Sequence, residues 1–235
     1  DFANLPTMVN EEKIAIVQIA SSILPASYIS GSPLFPLLVA LSVKLSIQYG
    51  NTSFSASAYA PYGILACNMK LDIETGGKFG ELALEFVSKL DAKAVKPEIL
   101  NVVANFILHR KFHLKETLPL LQEGYNIGLQ VGNLEFVGYN AHNFCFHSFW
   151  CAHPLAILEQ DTRDYYNHLL QINQRTTANY CLIYCQSILN LLKAPENRSI
   201  SFDVIPREKE FLASLIEAGD LYGLHVFYLY KLMLC

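Results

Sequence analysis

The chain has little charge and no surplus of positive charge. Asp, Glu, Lys and Arg make up 16% of its 235 residues, the formal net charge is -4 and the pI is about 6.0. Nucleic-acid binding usually leaves a basic footprint, so composition gives no reason to expect it. The one basic cluster, His109-Arg110-Lys111-Phe112-His113-Leu114-Lys115, falls at a predicted helix end, where cations complement the helix dipole. Cysteine is sparse as well. Cys67, Cys145, Cys151, Cys181, Cys185 and Cys235 contain no Cys-x-x-Cys pair and are too few for a disulfide scaffold, so reduced, mostly buried thiols in a cytoplasmic protein are expected. No charged, then apolar, then small-residue pattern follows Asp1, so no export signal is read.

Long unbroken hydrophobic runs are also missing. Mean hydropathy is +0.25 and no charged residue occurs between Lys13 and Lys44. That stretch is nevertheless interrupted by Pro25, Gly31, Pro33 and Pro36 and diluted by serine, whereas a spanning helix needs about 20 predominantly apolar residues. It reads as two shorter helices around a loop, and no transmembrane segment is expected.

Catalytic signatures are absent: no Gly-x-Ser-x-Gly elbow, no His-Glu-x-x-His and no paired carboxylates stand out. Gly76-Gly77-Lys78-Phe79 resembles a phosphate loop only superficially. The motif's first glycine would stand at Asp72, and Phe79 replaces the hydroxyl that would hold magnesium. No enzyme activity and no cofactor are therefore expected of this segment.

What is present is helix punctuation. Gly50-Asn51-Thr52-Ser53-Phe54, Gly132-Asn133-Leu134-Glu135-Phe136 and Gly219-Asp220-Leu221-Tyr222-Gly223 each read as a helix stop joined to a helix start. Glycine takes the left-handed conformation after a helix, and Asn or Asp accepts from the free amides of the next one. The copies lie about 82 and 87 residues apart, roughly twice the length of a two-helix repeat. Helices are predicted near 11–24, 34–49, 53–69, 73–90, 97–112, 117–131, 134–152, 155–171, 175–193, 207–218 and 221–234, with an irregular segment at 194–206. Pro97, Pro119, Pro154 and Pro206 fall in predicted first turns, where a missing amide costs little.

Gly76, Gly80 and Ala83, and again Gly124 and Gly128, form small-residue rows that let neighbouring helices approach closely, a tetratricopeptide-like trait without that repeat's Trp, Tyr and Pro signature. The fold class expected is all-α: one domain over 1–235, a right-handed superhelix of stacked antiparallel helix pairs.

Candidate functional residues come as uncharged polar rows. Asn101, Asn105 and His109 recur at i, i+4, i+8; Asn140, Asn143 and His147 follow on a later helix; Asn179, Gln186 and Asn190 on another. In a stack of hairpins these first helices line the concave face, where amides and imidazoles would bind a peptide or a neighbouring domain. The same residues also suit buried hydrogen bonds between adjacent helices, the reading their chemistry favours somewhat more. His142, Cys145, His147, Cys151 and His153 crowd together in a way that invites zinc. They alternate with Phe144, Phe146, Phe149 and Trp150, however, and core packing is expected instead of a metal site.

Several segments together resemble a known family. They are Phe79-Gly80-Glu81-Leu82-Ala83-Leu84, Asn105-Phe106-x-x-His109, His113-Leu114-Lys115-Glu116-Thr117-Leu118, Gly132-Asn133-Leu134-Glu135-Phe136, Asn143-Phe144-Cys145-Phe146-His147-Ser148-Phe149, Asn179-Tyr180-x-x-Ile183-Tyr184, Leu189-Asn190-Leu191-Leu192 and Phe227-Tyr228-Leu229-Tyr230-Lys231-Leu232. The combination is similar to the helical middle region of cyanobacterial multi-sensor proteins that join a serine/threonine kinase, a P-loop ATPase, sensor domains and a histidine kinase. The resemblance implies a non-catalytic piece of a larger signalling kinase, whose partners are the flanking domains of the same polypeptide or another protein. Two other uses stay open: a small-molecule pocket lined by His109, Asn140, Asn143 and His147, and a metal site on His142, Cys145, His147 and Cys151.

Overall fold

The computed structural model describes residues 2–89, 92–193 and 208–234. The expected irregular segment at 194–206 lies outside them, as does Pro206. The described residues form eleven α-helices: α1 (Glu11–Ile29), α2 (Leu34–Tyr49), α3 (Ala56–Met69), α4 (Ile73–Lys89), α5 (Lys96–Val102), α6 (Leu118–Val131), α7 (Leu134–Trp150), α8 (Leu155–Gln171), α9 (Arg175–Leu192), α10 (Glu208–Glu217) and α11 (Leu221–Leu234). Among them there is no β-strand, only an isolated bridge between Thr7 and Asn51. The chain is all-α. It divides into two compact units, residues 1–136 and 137–235.

In unit 1, α1 opens on Asn10, whose side chain accepts from Lys13 N at 3.1 Å, with Glu11 and Glu12 in the first turn where the helix dipole favours them. Pro25 does not end this helix, as the predicted 11–24 boundary required. The chain runs through it to Ile29, and serine hydroxyls supplement the backbone ladder on both sides of the missing amide. Ser21 and Ser22 Oγ donate to Gln18 O, and Ser27 Oγ donates to Leu24 O. Leu24, Phe35 and Val39 of this first hairpin pack with Tyr62 and Leu65 of α3.

The small-residue row of α4 is used for close approach. A Cβ on Gly76 would come within 2.2 Å of Cys67 Sγ and 2.9 Å of the Gly63 carbonyl oxygen, and one on Gly80 would reach Ile107 at 3.1 Å. Dense contact between α3 and α4 offsets the roughly 1 kcal/mol that glycine costs inside a helix. Tyr59, Ala83, Ile99, Val103 and Ile107 form the surrounding core.

The predicted helix 97–112 is not uniform. α5 gives way to a π-helical stretch, Val103–Ile107, then a 3-10 turn, Leu108–Arg110, and a second 3-10 turn over Leu114–Thr117 precedes α6. Two of the three punctuation phrases act as read. Gly132 has φ 76° and Asn133 Oδ1 accepts from Phe136 N at 3.4 Å; Gly219 has φ 64° and Asp220 Oδ1 accepts from Gly223 N at 2.8 Å. The first phrase differs. Gly50 ends α2 with φ 100°, but Asn51 caps nothing: it accepts from Tyr59 Oη at 2.5 Å, donates to Phe2 O at 2.8 Å, and α3 begins only at Ala56.

Unit 2 contains most of α7 and helices α8 to α11. α8 lies along α9, and α11 packs on α9 as well. A Cβ on Gly138 would meet Thr177 Oγ1 at 2.4 Å, so α7 and α9 approach at a glycine too.

Candidate functional site

The polar row of unit 1 is broken by its own backbone. Asn101 is buried on α5, but Asn105 falls in the π-helical stretch and His109 in the 3-10 turn. The turn period changes twice along the row, so spacing that is collinear on an α-helix is not collinear here. Asn101 is buried and engaged, Asn105 half-buried, His109 exposed. The basic cluster beside it is tied down: Arg110 Nη2 donates to Asn68 Oδ1 at 2.6 Å, and Lys111 pairs with Glu74 at 3.0 Å.

In unit 2 the rows face inward. Asn140, Asn143 and His147 on α7 and Gln186 and Asn190 on α9 are all buried, while Asn179 is half-buried. Asn140, His147 and Gln186 are engaged with neighbours. Between α7, α9 and α11 lies a tyrosine network that sequence reasoning passed over. Tyr184 is fully buried; its hydroxyl is 3.4 Å from His142 Nδ1, and its ring lies 6.0 Å from Phe146 and 5.4 Å from Tyr230. Tyr180 packs edge-on against His142 and Tyr222 and donates to Asp220 Oδ1 at 2.9 Å. Asp220 therefore caps α11 and holds α9 with the same oxygen. Tyr180 and Tyr184, four residues apart on one face of α9, were the available signal.

Burial sets the electrostatics of this interior. It pushes the His142 pKa down to about 3, with His147 adding to the effect, so the imidazole is neutral. Burial also raises the Cys181 thiol well above its usual value, and Cys185 up to about 12. Cys185 Sγ donates to Glu159 Oε1 at 3.6 Å, a carboxylate that also receives Arg163 Nε at 2.9 Å. These thiols are protonated and poor nucleophiles or ligands at neutral pH. Cys145 is buried and Cys151 half-buried; among the described residues no group of three or more His, Cys, Asp or Glu is placed to hold a metal ion.

One pocket meets the polar rows. It opens between α9 and α11, encloses about 230 Å³ including its mouth, and is lined by Gln186, Ser187, Asn190, Tyr230 and Lys231 over an apolar floor of Ile183 and Phe227. Gln186 Nε2 donates to Asn190 Oδ1 at 3.5 Å, but Asn190 Nδ2 has no hydrogen-bond partner among the described residues. The interior holds space for about one water-sized group.

Comparison with known proteins gives one informative likeness. The chain is 22% identical over 150 residues, 63% of its length, to hybrid signal transduction histidine kinase G of Dictyostelium discoideum. It spans 4% of that protein. No family model matches the chain, and the comparison with solved structures found no match. The likeness relates this helical region distantly to part of a signal-transduction kinase. Among the described residues no helix is long and apolar enough to cross a membrane.

Proposed function

We propose that this chain is a non-catalytic, tetratricopeptide-like interaction and relay module of a multidomain signal-transduction kinase, working in the cytoplasm between ATPase and sensor parts. The observation that carries the reading is the likeness to the histidine kinase. The chemistry of the interior supports it: a neutral His142, protonated thiols and capped helix ends suit a packing element better than a reaction centre. Stacked helical pairs shift their packing when a partner binds one face, and such a shift moves whatever is joined to their ends. The partners are the flanking domains of the same polypeptide or another protein, engaged through the accessible members of the polar rows, Asn105, His109 and Asn179.

Purified residues 1–235 are expected neither to bind ATP tightly nor to hydrolyse it, and deleting this region from the parent kinase is expected to uncouple kinase output from its input while leaving phosphate transfer intact. Saturable micromolar ATP binding by residues 1–235 would overturn the assignment.

A second reading is a small-ligand sensor. The unpartnered Asn190 Nδ2 in the α9–α11 pocket favours it. The pocket suits only a very small hydrogen-bond acceptor, and Asn190→Leu is expected to abolish any thermal shift that such a ligand produces.

A further inference from the structure

The turn between α3 and α4 carries a leucine that neither its conformation nor its packing explains. Helix ends elsewhere in the chain place glycine in the left-handed region, at Gly31, Gly132 and Gly219. Here Leu71 stands there, with φ 53°. Ala152 and Asn173 also take positive φ, but alanine is small and asparagine tolerates the conformation. Leucine does not share that tolerance, and this one is 80% exposed, so burial returns nothing for the strain. Met69 on one side is 70% exposed and Ile73 on the other 42%.

The turn is nonetheless firmly built. Asp72 N donates to Ala66 O at 3.0 Å, and Asp72 Oδ1 accepts from Thr75 N at 2.9 Å to cap α4. The bonds from Arg110 to Asn68 and from Lys111 to Glu74 hold the 3-10 turn beside it, which brings Phe112, 47% exposed, to the same end of the helices. Four large apolar side chains therefore stand out from a braced end of unit 1.

Charge selects the surface that receives them. Residues 68–78 and 110–112 carry Lys70, Lys78, Arg110 and Lys111 against Asp72 and Glu74, a local net charge of +2 in a chain whose total is -4. Both acids are engaged, Asp72 in the cap and Glu74 with Lys111, whereas Lys70 and Lys78 are exposed and in no ion pair among the described residues. The complement is a negatively charged surface over an apolar interior. Side chains this exposed stand proud of the fold instead of lining a groove, so a protein partner would need pockets cut to fit each of them. An anionic lipid surface needs no such match. Acyl chains take in apolar tips of any arrangement, while lysine stems lie along them with the ammonium groups at the phosphates.

We propose that the α3–α4 end of unit 1 is a peripheral lipid-binding site, which inserts Met69, Leu71, Ile73 and Phe112 into the interface of a membrane bearing anionic phospholipids and sets Lys70 and Lys78 on the headgroups. The contact is shallow and reversible, because few side chains enter and the rest of the chain is negative. Residues 1–235 are expected to float with vesicles of phosphatidylcholine and phosphatidylserine at low salt, less so at high salt, and far less with phosphatidylcholine alone. Leu71→Gly is the decisive variant because it relieves the backbone. It is expected to melt higher than the unmodified chain and to bind these vesicles about ten-fold more weakly. Lys70→Glu combined with Lys78→Glu is expected to remove the difference that phosphatidylserine makes, and Ile157→Ala, at an exposed position of α8, to change nothing. An unmodified chain that stays off phosphatidylserine vesicles at low salt overturns the proposal. So does Ile157→Ala weakening binding as much as Leu71→Gly, or a Leu71→Gly chain that binds as before or melts lower, which would make the leucine a packing residue. Leu71→Gly that weakens association with the parent's flanking domains and leaves vesicle binding unchanged overturns it too, and makes this end a protein contact.

Discussion

Between α3 and α4 of unit 1, Gly63, Gly76 and Gly80 let backbones and Ile107 come into contact. Between α7, α9 and α11 of unit 2, tyrosines, His142 and thiols fill the equivalent space. Both units pack helices closely, by opposite means. The glycine contact in unit 1 is tolerant of what surrounds it but not of any added atom. The network in unit 2 depends on ring shape and on directional partners, such as Tyr180 with Asp220, so it specifies one arrangement more strongly and loses more when a member is removed.

The largest way to test this difference is to empty the centre of unit 2. Tyr184→Ala removes a fully buried ring from contact with His142, Phe146 and Tyr230, and is expected to cost about 3–5 kcal/mol in chemical denaturation. Tyr184→Phe keeps the ring and removes the hydroxyl's hydrogen bonds to His142 and Tyr222, and is expected to cost about 1–2 kcal/mol. If the two variants cost the same, ring packing is not what holds this unit, and the contrast fails.

In unit 1 the corresponding change is an addition. Gly76→Ala places its methyl group 2.2 Å from Cys67 Sγ and 2.9 Å from the Gly63 carbonyl oxygen. The thiol can rotate, but the backbone oxygen cannot yield without separating α3 from α4, so about 1–3 kcal/mol of destabilisation is expected. Gly138→Ala in unit 2 meets only the Thr177 side chain and is expected to cost less. Equal costs would mean that α3 and α4 separate as readily as Thr177 turns.

The two units also answer pH in opposite directions. Glu98 on α5 is pushed up to about 8, mainly by desolvation and further by Glu135. Its folded form holds a proton that the unfolded chain has already released, so its contribution to stability is full below about pH 4.5 and is lost as pH rises through 8. His142 is the reverse case. Its pKa is depressed from 6.5 to about 3, so its contribution is present above pH 6.5 and is lost as pH falls toward 3. Melting curves are expected to show Glu98→Gln gaining on the parent chain between pH 5 and 8, and His142→Phe losing less than the parent below pH 6. Parallel pH profiles for parent and Glu98→Gln would remove the carboxyl as the cause.

The sequence was most legible where local chemistry decides. The start of α1 at Asn10, the starts of α7 and α11 at Asn133 and Asp220, and the stops at Gly132 and Gly219 follow from caps and glycines that act within one turn. It misled at Asn51, which reads as a cap but is taken by Tyr59 and Phe2, and at Pro25, which reads as a break although α1 continues through it to Ile29. The candidate rows were found by period, and period cannot report depth. Asn140 and His109 look alike in sequence, yet one is wholly buried and the other exposed. The tyrosine network was missed because its members come from three helices, and only packing brings them together.

The smallest expected effect concerns the accessible end of those rows. Changing Asn105 and His109 together to Ala removes side chains that are half-buried and exposed, and is expected to shift stability by no more than about 0.5 kcal/mol. Asn143→Ala, at a buried position in unit 2, is expected to cost roughly 1–3 kcal/mol. The measurement that matters is association with the parent's flanking domains. If the polar positions of unit 1 face a partner, the double variant binds those domains more weakly at an unchanged melting temperature, because the lost hydrogen bonds are intermolecular. Asn143→Ala then weakens binding only as far as it unfolds the chain, a loss that lower temperature restores. Should the double variant melt much earlier and bind as before when folded, Asn105 and His109 are internal ties like their buried counterparts, and the partner surface lies elsewhere.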